Sequence, residues 1–327
     1  MLLSFESWGL MQRRAFALLA AIGIAVTGCA TGTDGESTSA DESTDAAQVP
    51  SASATPEPPA ELPRGGREVF PDYRLVGYSG INGDPNKDLG RLTGDLDEVC
   101  DEITEVGQAY KKGRKILPVF EMITVLVTAS PQEDGKYRIR RPNSEVKKYL
   151  RAARRCKGIL LMNIQPGQSE FLPELKHYEQ FLREPDVGVA LDPEWAMDPG
   201  QTPGVQLGRT TGPELNKSAE YLAEIVEEEN LPEKVMVFHQ FNYDTIEKLK
   251  GLKEHEGVAL VRSIDGLGGP GSKTEVYNIL TEGQPKYIHP GFKLFYKEDT
   301  SPPYGSRLMT PQEVMALKPR PEYILYE

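Results

Sequence analysis

The strongest constraint on this chain is an alternation. From Arg67 onward, short runs rich in β-branched residues are separated by stretches with apolar residues at helical spacing. The strand candidates are Arg74–Ser79, Ile116–Glu121, Ile159–Gln165, Val187–Glu194, Val235–Gln240, Ala259–Asp265, Phe292–Tyr296 and Tyr323–Tyr326. A helix is expected in every interval, near residues 93–112, 143–156, 169–183, 213–230, 242–253, 273–282 and 310–317. Strand–helix alternation implies a parallel sheet with right-handed crossovers, and eight such units in a segment near the ~250 residues typical of the fold predict an α/β chain forming a single (β/α)8 TIM-type barrel. An open doubly wound sheet is the alternative. Its G-x-G-x-x-G fingerprint is missing after the first run, where Gly77-Tyr78-Ser79-Gly80 stands.

Several helix starts carry capping signals. Thr310-Pro311-Gln312-Glu313 and Ser272-Lys273-Thr274-Glu275 fit the capping box, and Asn242, Asn143 and Thr93 are expected N-caps.

Of 327 residues, 37 are Lys or Arg and 49 Asp or Glu, a net charge of −12 that disfavours nucleic acid as a partner. The acidity is uneven. Residues 30–63 contain Asp34, Glu36, Asp41, Glu42, Asp45, Glu57 and Glu61 but no Lys or Arg. Ser, Thr, Ala and Pro fill most of the rest, so the expectation is a disordered tether.

Upstream, Met11-Gln12-Arg13-Arg14 leads into the apolar stretch Ala15–Thr27. That stretch is shorter than the ~20 residues of a membrane-spanning helix and matches a secretory signal. Residues 1–10 add nothing to it, which makes Met11 a candidate start. Val26-Thr27-Gly28-Cys29 resembles the bacterial lipobox. The resemblance implies a signal peptide over 1–28, a lipidated Cys29 opening an acidic linker over 29–66, and a barrel over 67–327. The expected location is the extracytoplasmic face of the cell membrane, with membrane lipid as partner through Cys29. A plain secretory signal is the alternative.

Three cysteines rule out a disulfide scaffold, and four histidines leave little for zinc, so no cofactor or metal is expected. Placing Cys100 and Cys156 on neighbouring parallel helices gives an axial offset of roughly 9 Å, beyond the ~7 Å reach of a disulfide. Two free buried thiols are therefore expected.

In a barrel, strand residues of one parity face the axis, and the C-terminal strand ends carry the active site. On the fourth run, Val187, Val189 and Leu191 suit the helix layer, while Gly188, Ala190, Asp192 and Glu194 share the other parity. The same test turns Glu121, Asn163, Gln165, Ser263 and Asp265 inward, and one of His239 and Gln240. Trp195 and Tyr78 are candidate stacking faces. Strand-end acids often serve only as caps or salt-bridge partners, a role that fits Glu121 and Asp265 equally well. Gly266–Gly271 is a weak phosphate-loop candidate, Ala196–Gly212 a candidate lid, and Lys136, Arg138, Arg140 and Arg141 read best as solvated charges.

Paired carboxylates in an axial cleft suit glycoside hydrolysis. Leu191-Asp192-Pro193-Glu194-Trp195 resembles the D-x-E signature of family 18 chitinases and family 25 muramidases. The resemblance implies Glu194 as general acid and Asp192 orienting a substrate acetamido group, with Glu121 or Asp265 as the opposing carboxylate. The chitinase pattern has further aspartates where Val187 and Ala190 stand, and the muramidase pattern has one where Gly77 and Ser79 stand. The domain as a whole resembles a group of actinobacterial lipoproteins with glycoside-hydrolase-like barrels. A monomer acting on a cell-envelope glycan is the leading expectation, and a non-catalytic barrel binding a glycan or a protein is the alternative.

Overall fold

The computed structural model describes residues 58–83 and 88–327. The expected signal peptide, lipidated Cys29 and most of the tether lie outside the described residues.

Eight parallel strands form a closed barrel: β1 (Tyr73–Ile81), β2 (Lys115–Val127), β3 (Ile159–Ile164), β4 (Val187–Leu191), β5 (Lys234–Gln240), β6 (Val258–Ile264), β7 (Ile288–Leu294) and β8 (Tyr323–Tyr326). Each strand pairs with its sequence neighbours, and β1 closes the ring by pairing with β2 (Leu75 opposite Leu117) and β8 (Leu75 opposite Tyr323). The crossovers carry α1 (Leu96–Gln108), α2 (Asn143–Arg155), α3 (Phe171–His177), α4 (Glu179–Leu182), α5 (Gly212–Glu228), α6 (Pro270–Thr281) and α7 (Pro311–Val314). Among the described residues, no helix is long and apolar enough to cross a membrane.

Two apolar layers follow from strand parity. Leu75, Leu117, Val119, Leu161, Ala190, Val237, Val261 and Leu325 fill the barrel interior. Val76, Phe120, Leu160, Val189, Leu191, Met236 and Ile324 face the helices. Closure is tight at Gly77, where a Cβ would come within 1.9 Å of the Val119 carbonyl oxygen. No side chain fits there without displacing the backbone of β2.

Several expectations are corrected. No α-helix links β5 to β6. The Asn242 side chain closes a capping box with Thr245 over one short turn, and left-handed backbone at Lys248 (φ 50°) stops helical continuation. Ile246–Glu247 instead pairs with Thr210–Thr211. α1 starts later than expected and is capped by Asp95 rather than Thr93, Pro142 holds the N-cap position of α2, and α6 begins at Pro270, so Ser272 lies inside it. The Thr310–Glu313 box is present as expected. β7 lies earlier than expected because Pro290 and Gly291 mask its start.

Cys100 and Cys156 form a disulfide, with Cα atoms 5.6 Å apart. The expected offset assumed that the two helices begin at the same level. β2 runs past Met122, its last partner on β1, to Val127 before returning through Arg138–Arg140. α2 therefore starts higher, and Arg155 near its end pairs with Asp97 near the start of α1.

The fold also begins before residue 67. Leu62 is buried under the barrel floor with Val69 and Tyr73, and Arg64 donates to the carbonyls of Ile116 (2.9 Å), Cys156 (3.1 Å) and Lys157 (2.9 Å). The last residues of the expected tether are thus part of the domain.

Candidate active site

Above the apolar barrel filling, the inward positions turn polar. Ser79, Glu121, Asn163, Asp192, His239, Ser263, Asp265 and Lys293 are all buried, as is Tyr323 below them. Glu121 is the most heavily bonded. It accepts hydrogen bonds from Ser79 Oγ (3.0 Å), Asn163 Nδ2 (3.1 Å) and the Tyr323 hydroxyl, and His239 Nε2 lies 3.3 Å away. Burial alone would raise its carboxyl, but His239, Lys293 and Tyr323 outweigh that and hold it below the usual range.

Asp265 is similarly occupied. His239 Nδ1 lies 2.8 Å away, Ser263 Oγ donates at 2.7 Å, and Lys293 Nζ lies at 3.3 Å. Against the effect of burial, His239 and Lys293 bring its carboxyl down to about 2. Burial opposes the charge on His239, but Asp265, Glu121 and Asp192 hold the imidazole well above its ordinary value, so it is an imidazolium. Lys293 is kept charged in the same way by Glu327, 2.6 Å away, and by Asp265.

The pair from the fourth strand behaves differently. β4 stops at Leu191 because Pro193 has no N–H for the ladder, and Pro193–Trp195 forms a single 3-10 turn. Asp192 and Glu194 therefore do not share a strand face by simple alternation, yet both are buried, 4% and 6% exposed. Asp192 accepts from Asn163 Nδ2 (3.1 Å) and Gln165 Nε2 (3.3 Å). Burial, with help from Glu121 and Asp265 and against His239 and Lys293, lifts it to about 6. Against His239, burial and the neighbouring Asp192 and Asp265 carboxylates push Glu194 well above its ordinary value, which favours its protonated form. Divergent acidities in adjacent acids are the usual basis for assigning acid and base roles.

Three buried polar atoms of this array have no hydrogen-bond partner among the described residues: Asn163 Oδ1, Glu194 Oε2 and His239 Nε2. The Asn163 amide is oriented unambiguously, since its nitrogen must face the two carboxylates and its oxygen must turn away. His239 Nε2 still faces Glu121 at 3.3 Å as an ion pair, whereas Asn163 Oδ1 and Glu194 Oε2, at roughly 1–3 kcal/mol for each unpartnered buried group, mark a place suited to a ligand.

An apolar cluster closes this end. Phe241, Leu267 and Phe295, just beyond β5, β6 and β7, pack with Trp195 and Leu207. Leu207 belongs to the expected lid, which is pinned back on the Asp192–Trp195 turn by bonds from Gly208 N to Glu194 O (2.7 Å) and Arg209 N to Ala196 O (2.9 Å). Asp299 braces the other side, accepting from Gly268 N (3.1 Å), Phe295 N (2.9 Å) and Lys273 Nζ (3.0 Å).

No protein-family model matches the chain, and none of the curated proteins compared matches it. Function must therefore be read from the site.

The structure brings Glu121, Asn163, Gln165, Asp192, Glu194, His239 and Asp265 together at the C-terminal strand ends. It separates two others from them. Tyr78 faces outward, edge-on to Tyr326 and beneath the Arg91 guanidinium. Gln240 also points into the helix layer, accepting from Arg262 Nε at 2.7 Å. Glu121 and Asp265, the candidates for opposing carboxylate, each already face several internal donors. The amides of Gly268 and Gly269 bond to Asp299 and Tyr304, leaving no phosphate cradle in that loop. Arg138 and Arg140 are not solvated charges, since both pair with the buried Glu174, at 2.9 and 2.7 Å. Lys293 and Tyr323 are additions that strand parity alone could have found, since both lie within expected strands, Phe292–Tyr296 and Tyr323–Tyr326.

Proposed function

We propose that the barrel is a glycoside hydrolase acting on a cell-envelope glycan, with Glu194 as general acid and Asp192 as its ionised partner. The observation that carries this is the Glu194 carboxyl, which is buried, shifted toward its protonated form and has one oxygen free of partners. Its proton passes to the leaving glycosidic oxygen as the bond to the anomeric carbon breaks. The positive charge left on that carbon is met by Asp192 or by a substrate acetamido group that Asp192 orients. Water then adds at the anomeric carbon, and its proton returns to Glu194.

The unpartnered atoms also fit a sugar. A protonated Glu194 offers one donor, and Asn163 Oδ1 offers one acceptor. A hydroxyl, with two lone pairs and one hydrogen, complements that set. Asp192 Oδ1 and Glu121 Oε1 share the Asn163 nitrogen at 3.1 Å each, and with Ser79, Tyr323 and His239 also against it Glu121 fits a positioning role.

Turnover requires the Trp195–Leu207 side of the apolar cluster to open. The closed mouth supports a second reading, a barrel that binds a glycan or a protein without cleaving it. A tether through Cys29 would place either activity at the outer membrane surface.

Hydrolysis of a panel of envelope glycans by the wild-type protein and Glu194→Gln separates these outcomes. Turnover that drops at least a hundredfold in the variant supports the acid assignment. Unchanged turnover removes Glu194 from the mechanism, and binding without turnover in the wild type favours the second reading.

A further inference from the structure

The geometry points to a phosphate-binding site at the opposite, N-terminal end of the barrel. A cleft of about 360 Å³ there is lined by Arg74, Lys112, Arg114, Arg320 and Glu322 between Pro290 and Pro319. Four cations face one carboxylate in a chain of net charge −12.

The one carboxylate is already used. Glu322 pairs with Arg114 and with His289. Among the described residues, Arg74, Lys112 and Arg320 have no carboxylate partner. Arg74 is buried, and its guanidinium donates only to carbonyls, those of Pro321 (3.1 Å), Lys111 (3.0 Å) and Tyr110. Arg320 Nε likewise donates to the Met315 carbonyl at 3.1 Å. These bonds fix the groups in place without neutralising them. Burial and the nearby Arg114 and Arg320 bring Arg74 down to about 10 despite Glu322, the mark of like charges gathered at one point.

Converging, preorganised guanidinium groups match the several oxygens and double charge of a phosphate better than a single carboxylate. The cleft is at the small end of ligand pockets, which suits a diphosphate or one headgroup. Arg64 holds the incoming chain against this same end of the barrel, through carbonyls at the start of β2 and before β3. A membrane tether leaving from there would bring the cleft toward phospholipid headgroups.

Calorimetric titration of the full chain with inorganic pyrophosphate, and co-sedimentation with phosphatidylglycerol or phosphatidylcholine vesicles, test the site and distinguish the sources. Lys112 and Arg320 are both exposed, so Lys112→Gln/Arg320→Gln should keep the wild-type Tm, with Arg320→Glu as a second variant. Saturable pyrophosphate binding weakened at least tenfold in the variants supports a soluble phosphate ligand. Binding confined to phosphatidylglycerol vesicles, and lost in the variants, supports a headgroup. Absence of binding in both assays, equal binding by wild type and variants, or equally tight binding of citrate overturns the proposal.

Discussion

The His239 imidazole lies 2.8 Å from Asp265 through Nδ1, and that bond turns its Nε2 toward Glu121 and Asp192, at 3.3 and 3.7 Å. His239, with Lys293 3.3 Å from Asp265, thus balances three buried acids. His239→Leu should cost about 3–5 kcal/mol at pH 7, because it leaves buried carboxylates uncompensated. Because the folded pKa of His239 is raised above its ordinary 6.5, its contribution is fully present below that pH and is lost as pH rises through the folded value. Urea denaturation of the wild type and variant across pH checks this: the gap between them should narrow on the alkaline side.

A bell-shaped pH–rate profile is expected for any glycan that the protein cleaves. The rising limb should fall near pH 6, where Asp192 ionises, and the falling limb higher, where Glu194 loses its proton. Asp192→Asn should abolish the rising limb. Stability should move with pH in the same direction for these two groups as for His239. Both folded pKa values are raised, so their contribution is present at low pH and lost as pH climbs through about 6 and beyond.

Glu174 is fully buried and clamps Arg138 and Arg140 of the extended β2 hairpin. Glu174→Gln should destabilise the protein by about 3 kcal/mol while leaving the catalytic groups in place. The check is a denaturant midpoint measured beside an unchanged near-ultraviolet circular dichroism spectrum.

The Cys100–Cys156 bridge joins residues 56 apart in sequence. Replacing both by Ala should lower stability by about 2–4 kcal/mol, and reduction of the wild type should match it. Free-thiol titration under denaturing conditions before and after reduction tests the linkage directly.

The barrel and most of the site were legible because both rest on period two. Alternation on β2, β3 and β6 identifies Glu121, Asn163 and Asp265 as inward without any knowledge of contacts. Where the signal was not local, it failed. The disulfide depends on how far α2 is raised by the long β2, which no helix count contains. Gln240 and His239 are equivalent until the strand's register is known. Tyr78 has the parity of the helix layer, so its aromatic character was a poor guide. Glu194 is buried through a proline-induced turn rather than through alternation.

On the proposed mechanism a neutral carboxylic acid, Glu194, stands at the barrel mouth beside ionised groups. Its protonation can be read from the carbonyl stretch of a buried carboxylic acid in infrared difference spectra of wild type minus Glu194→Gln across pH. A protonated-acid band assigned to Glu194 should persist well above the ordinary carboxylate range. A Glu194 already ionised at pH 5 would overturn its assignment as the general acid.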